Sequence, residues 1–253
     1  MKIAYLIFVT VMIWNCTIAQ NNDDPIEKEN AMLIAPIVSV QIPGADLANR
    51  FGVAYLMGLS LDYKFGKNWY VGGEGGLLFG TTVKESNHLE HTLAQNGMVI
   101  TDEGYLDEVN LNLRGGIAKV NLGKSIFFKA EKPSNGMLFK MGVGYMQHKI
   151  LIDVNKKNTP QLTGQYAKGY DRFSNGILLS QYIGLIRLEK GKFVNVTLGF
   201  EITEGFTHNA RPYDFYLQEK LTEKRVDMMY GIKFTWMIPV YIGKSSSSQY
   251  YTY

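Results

Sequence analysis

Along most of the chain apolar residues recur at every second position, the period that gives a strand one apolar and one polar face. The pattern is cleanest at 193–206, where Val194, Val196, Leu198, Phe200 and Ile202 alternate with Asn195, Thr197, Gly199, Glu201 and Thr203. At 225–241 the even positions Val226, Met228, Tyr230, Ile232, Phe234, Trp236, Ile238 and Val240 alternate with Arg225, Asp227, Gly231, Lys233 and Thr235. That run is longer than a typical strand of a soluble protein. Segments 53–65 and 69–79 repeat the pattern on either side of Gly66-Lys67-Asn68 and predict a hairpin. In the next pair, Val109, Leu111, Leu113 and Ile117 are set against Asn110, Asn112, Arg114 and Gly116, and Met137, Phe139, Met141, Val143 and Tyr145 against Lys140, Gly142 and Gly144. Segment 33–43 carries apolar residues on both faces, 177–188 places Gln181 and Arg187 among its apolar partners, and both are read as strands. Pro36 leaves the register of the first open, because it can sit only where its missing N–H is not needed.

The connections decide what kind of all-β chain this is. Turns 66–68 and 189–192 are short, whereas 81–104, 153–175 and 207–224 are long and polar, with 44–50 as the first of the long-side connections. Short turns at one end and long loops at the other are the asymmetry of outer-membrane barrels. Strands of roughly 10 to 14 residues, at about 3.3 Å each, cross a tilted hydrocarbon core. The fold expected is an all-β, eight-stranded antiparallel up-and-down transmembrane β-barrel with long extracellular loops, its apolar faces on lipid and its polar faces on the lumen. A soluble barrel would reverse those faces, and alternation alone does not say which face is which. One inner turn, 121–135, is long and carries Ile126-Phe127-Phe128, which either extends its strands or caps the inner mouth. Tyr63, Phe65, Trp69, Phe193, Trp236 and Tyr241 gather near the inner turns as an interfacial girdle.

Composition narrows the picture. Lys2, an apolar stretch to Trp14 and Thr17-Ile18-Ala19 read as an export signal, 1–19, followed by a polar periplasmic leader, 20–31, and the barrel, 32–253. Cys16 is the single cysteine and leaves with the signal, which excludes disulfides and thiolate metal sites from the mature chain. No later apolar run reaches the length of a membrane helix. A formal net charge of +3 is too weak to point to nucleic acid. The expected location is the outer membrane, with both termini periplasmic.

An eight-stranded lumen is narrow enough for side chains to fill. Glu201 with Lys233, and Glu74 with Arg114, fall at similar heights on the lumenal face and are expected to form structural ion pairs, a gated conductance being the other reading. His148 faces the lumen near the outer rim without a serine two residues away, and no catalytic residue is assigned: the chain is expected not to be an enzyme. Glu85, His88, Glu90 and His91 are competent metal ligands in an undefined loop, which supports no metal assignment, and no cofactor is expected. Gly142-Val143-Gly144 lacks a following helix and reads as small lumenal residues. The outer loops combine aromatic and charged side chains, and Tyr166, Tyr170, Arg172, Phe173, Arg211, Tyr213 and Phe215 are candidate partner contacts. Loops that pack on one another to cap the barrel are the equal alternative.

Segment 41–52 (QIPGADLANRFG), the 167–172 loop (AKGYDR), 211–215 (RPYDF) and the tyrosine-rich terminus resemble a family of small outer-membrane β-barrels from Bacteroidota whose function is undefined. The resemblance covers nearly all of the mature chain and implies lineage and compartment, with no catalytic or ligand residues to carry over. It implies outer-membrane lipid and other outer-membrane proteins as partners, in the role of an accessory or structural subunit of a protein-assembly or secretion complex. A narrow channel or small-ligand transporter is the alternative, with a lipid-modifying enzyme behind it.

Overall fold

The computed structural model describes residues 30–85, 87–94, 97–128, 135–154, 159–189 and 194–241. The signal segment, nearly all of the leader and the tyrosine-rich terminus lie outside the described residues. The strands are β1 (Ala31–Gly44), β2 (Ala54–Phe65), β3 (Trp69–Gly80), β4 (Met98–Ile100), β5 (Leu106–Phe127), β6 (Asn135–Val154), β7 (Ser174–Arg187), β8 (Val196–Asn209), β9 (Lys224–Trp236) and β10 (Ile238–Tyr241). β1 therefore begins on the last residue assigned to the leader. Two short helices, α1 (Ala45–Arg50) and α2 (Gly164–Ala167), lie in the connections.

Neighbouring strands pair antiparallel in chain order, and β1 pairs back with β9 and β10, so the sheet closes on itself. β4 is a short addition to β5 and β10 continues β9, which leaves eight staves in the ring. Closure removes the open edges that a free sheet would present. At the seam, Ile34 pairs with Ile238 and Ile37 with Thr235 in one common register. Pairing lapses only at Ala35 and Pro36, across from Trp236 and Met237, and the Met237 N–H donates instead to the Asn195 carbonyl at 2.7 Å. Pro36 thus occupies a missing rung without shifting the register. The hairpin 66–68 turns through left-handed backbone at Gly66 (φ 53°) and Asn68 (φ 60°), conformations that glycine and asparagine adopt at least cost.

The faces sort as a membrane requires. Outward positions are apolar and exposed: Leu77 is 70% and Ile232 63% accessible, and Tyr55, Met57, Leu59, Val143, Ile177, Leu198 and Phe234 share that wall. Inward positions bury Ser60, Asp62, Glu74, Lys119, Asn121, Glu201 and Lys233. A barrel in water would lose free energy with this arrangement, since apolar area outside and charges inside are each unfavourable there. In a bilayer the same arrangement is stable, because all ladder hydrogen bonds are made within the ring and the wall meets hydrocarbon. The chain folds as an all-β, eight-stranded up-and-down transmembrane barrel with long loops at one end.

One expectation needs correction and one open alternative is decided. β5 faces the opposite way from its predicted phase: Leu113 and Ile117 are buried in the lumen and Arg114 is exposed on the outer wall. The reason is that the lumen near the loops is itself apolar, so alternation there marks the inside. Leu113 and Ile117 pack with Leu47, Phe51, Leu56, Leu78, Met146, Ile150, Leu178 and Met229. Of the two readings of the connection 121–135, the described residues extend the strands: β5 continues to Phe127, and Ile126 pairs with Met137. β5 and β6, at 22 and 20 residues, also overrun the ring at the loop end, where β4 adds to β5.

Candidate functional site

The lumen is filled in three layers. Nearest the turns, Ala31, Leu33, Ala35, Tyr70, Leu138, Tyr182, Ile186, Leu188 and Met237 form an apolar plug. This explains why β1 and β7 are apolar on both faces.

Above the plug lies a layer of buried charge. Lys233 Nζ is 2.6 Å from both oxygens of Glu74 and 3.1 Å from Glu201 Oε1. Lys119 Nζ is 2.6 Å from the same Glu201 oxygen and 3.4 Å from Glu74 Oε1. Asn121 donates its amide to Glu74 Oε2 at 3.3 Å. Two carboxylates and two ammonium groups alternate, so each charge has two opposite neighbours and the cluster is neutral. Beside it Lys140 meets Asp62 Oδ2 at 2.7 Å, and Ser60 donates to that oxygen at 3.1 Å. The Glu201 and Lys233 of the sequence reading meet; Glu74 and Arg114 do not, and the partner that sequence reasoning missed is Lys119. The register held the signal, since Glu74 pairs directly with Lys119 across β3 and β5. Gly142 is lumenal, and a Cβ there would fall 2.2 Å from Asn121 Oδ1 and 2.6 Å from Ser180 Oγ, so a larger residue would displace the polar layer.

The third layer is the apolar cluster around Leu113, which α1 enters from above with Leu47 fully buried, followed by Phe51. Segment 44–50 is therefore an inserted plug as well as a connection. His148 lies within this layer at 0% exposure, Nε2 being 2.9 Å from Asp227 Oδ2, which also accepts from Thr207 Oγ1 at 2.5 Å. Phe51 packs edge-on to the imidazole at 5.8 Å between centroids. The histidine is fully buried beneath the connection that carries α1.

Over the mouth the loops knit into a crown. Arg50 donates to Glu85 Oε2 at 3.0 Å, to Ser174 Oγ at 3.2 Å and to the Arg172 carbonyl at 3.1 Å. Burial, with Arg225 and Arg172 nearby and against the pull of Asp227, lowers its guanidinium to about 9, which leaves it charged at neutral pH. Arg172 joins Glu85 and Asp214, the latter at 3.2 Å. Arg211 grips Asp171 with two nitrogens, Nε at 2.8 Å from Oδ1, and lies over the Phe173 ring at 5.0 Å. These hydrogen bonds to Asp171 raise the Arg211 pKa above its ordinary value. Tyr170 meets Phe215 edge-on at 5.5 Å, and the Phe215 N–H donates to the Gly169 carbonyl at 3.0 Å.

Of the candidate contact residues, Tyr170, Arg172, Phe173 and Arg211 are thus engaged inside the crown, and Arg172 is buried. Tyr166, Tyr213 and Phe215 remain open at 62%, 44% and 39% exposure, alongside Ile100, Tyr105 and Leu106, which the sequence reading did not single out. Glu85 is held by two arginines and His91 stacks on Tyr216 at 5.0 Å, so these two candidate metal ligands point to different partners. Among the described residues no three metal-ligating side chains converge.

No family model matches the chain, and no curated protein matches it. Among solved structures it is similar to Neisserial surface protein A, at 8% identity and a TM-score of 0.40 over 81% of this chain and 96% of that one. It is similar also to Ail, the attachment invasion locus protein of Yersinia pestis, at 6% identity and a TM-score of 0.39 over 83% and 99%. The N-terminal β-barrel domain of Pseudomonas aeruginosa OprF aligns at 8% identity and a TM-score of 0.38 over 83% and 98%.

Proposed function

We propose that this protein is a non-enzymatic barrel of the outer membrane that serves as an accessory or structural subunit of a larger outer-membrane assembly, with its crown outside and both termini in the periplasm. The observation that carries the reading is the contrast between a lumen packed in three layers and a crown that leaves aromatic side chains exposed on a rigid base. Aromatic anchors on a preordered surface are what protein interfaces use, because little entropy is lost when they are covered. The export signal and the Bacteroidota-like segments agree with that compartment, and protein assembly or secretion is the class of complex it would join.

Purification from native membranes in mild detergent tests this. The expected result is a stable larger complex that Tyr166→Ala, Tyr213→Ala and Phe215→Ala together release, with the barrel still folded. Recovery of the wild type only as a lone monomer would count decisively against the proposal.

A further inference from the structure

The pairing register lays out the outer wall from β2 to β6 row by row. Nearest the crown, Tyr55, Phe79, Arg114 and Lys149 stand side by side. The next row is Met57, Leu77, Gly116 and Gln147, followed by Leu59, Gly75, Ala118 and Tyr145, and then by Leu61, Gly73, Val120 and Val143.

Two features of this panel are unusual. The first is the pairing of Arg114 with Lys149, two cations directly opposite each other on adjacent strands, where like charges repel. Arg114 reaches only the Leu113 carbonyl, at 3.2 Å, and among the described residues neither cation is paired with a carboxylate. Asp153, on the same face of β6, lies two rows farther toward the crown, opposite Asn110.

The second feature is a furrow of about 660 Å³ just below them. Gly75, Gly116 and Ala118 form its floor, and Met57, Leu77 and Tyr145 are among its walls. No neighbouring side chain fills its floor: a Cβ at Gly75 would reach only the Ile117 carbonyl oxygen at 3.9 Å, and one at Gly116 only the Gly76 carbonyl oxygen at 3.3 Å.

We propose that this panel binds an anionic membrane lipid, with the phosphate between Arg114 and Lys149 and an acyl chain in the furrow beneath. The inference rests on the membrane reading of the barrel. Charge complementarity selects the occupant. A phosphate removes the repulsion of the two cations by accepting from both, and the furrow leads from that position into the hydrocarbon. The Gln147 amide and Tyr145 hydroxyl stand beside the path as further donors near the headgroup. A protein knob filling the furrow would leave the two cations unpaired.

The test uses the full-length mature barrel in nanodiscs of phosphatidylglycerol and phosphatidylcholine in equal amounts, with the lipids retained on release read by native mass spectrometry. The wild type is expected to keep phosphatidylglycerol over phosphatidylcholine by about tenfold or more, the scale that two basic side chains contribute at an anionic membrane surface. Arg114→Gln/Lys149→Gln should abolish the preference, and Ala118→Phe, which fills the furrow, should reduce retention of both lipids. Inorganic phosphate at millimolar concentration should leave the retained lipid in place; its displacement would mean that a free anion, and not a lipid, is the ligand. Equal retention of the two lipids by the wild type, or an unchanged preference in the double variant, overturns the site while the barrel stands. Failure to enter nanodiscs at all would overturn the membrane reading with it.

Discussion

Lys233 is the residue on which the buried charge layer turns, because it alone touches both oxygens of Glu74 as well as Glu201. Lys233→Met should therefore lower the unfolding free energy by about 3 to 5 kcal/mol, the usual cost of stranding a buried partner. Urea titration of the barrel in micelles would measure it, and a midpoint unchanged from wild type would refute the account. Removing Lys119 and Glu201 together, as Lys119→Met/Glu201→Gln, should cost less than Lys233→Met alone, because Glu74 and Lys233 keep each other. Only part of this layer is legible in the sequence. Glu201 and Lys233 stand opposite apolar neighbours that really do face lipid, so simple alternation finds them. Lys119 is hidden because Leu113 and Ile117, earlier on the same strand and the same face, are apolar residues turned inward. The local pattern inverts where the lumen changes from apolar to charged, and one strand read alone does not show where that happens.

At the scale of elements, the ring was readable and the ends were not. Strand order, short turns and long loops follow from a period of two that persists over whole segments. How far β5 and β6 overrun the ring, and that α1 descends into the mouth, depend on contacts between loops distant in sequence. The crown is held by a few ion pairs that span those loops, with Arg172 joining the 81–104 loop to the 207–224 loop through Glu85 and Asp214. Arg172→Ala leaves the buried Asp214 carboxylate without that partner and should loosen both loops while the staves hold. Hydrogen exchange would show it as faster exchange across 81–104 and 210–221, with strand amides of β7 and β8 unchanged. Tyr166→Ala, on the exposed side of the same crown, should change none of these rates. Equal protection in wild type and Arg172→Ala would mean that the crown is held by its apolar contacts around Leu89, Val99 and Leu162 instead.

For the molecule as a whole the question is whether anything passes through it. Three layers block the axis independently: the apolar plug at the turn end, the neutral charge cluster, and the apolar layer into which α1 inserts. Water or an ion would have to displace all three, since hydrocarbon packing offers no hydrogen bonds and the buried charges of the middle layer already hold one another in ion pairs. Planar bilayer recordings of the purified barrel should therefore be flat. They should stay flat for Leu47→Ala/Phe51→Ala, which thins only the uppermost layer, and also for Glu201→Gln, which removes one charge while leaving the packing in place. Discrete steps in the wild type would refute a closed lumen. Steps appearing only in Leu47→Ala/Phe51→Ala would show that the lower layers do not seal and that α1 is the barrier, a gate carried on the connection between β1 and β2. Flat traces in all three leave the outer wall and the crown as the surfaces through which this barrel acts.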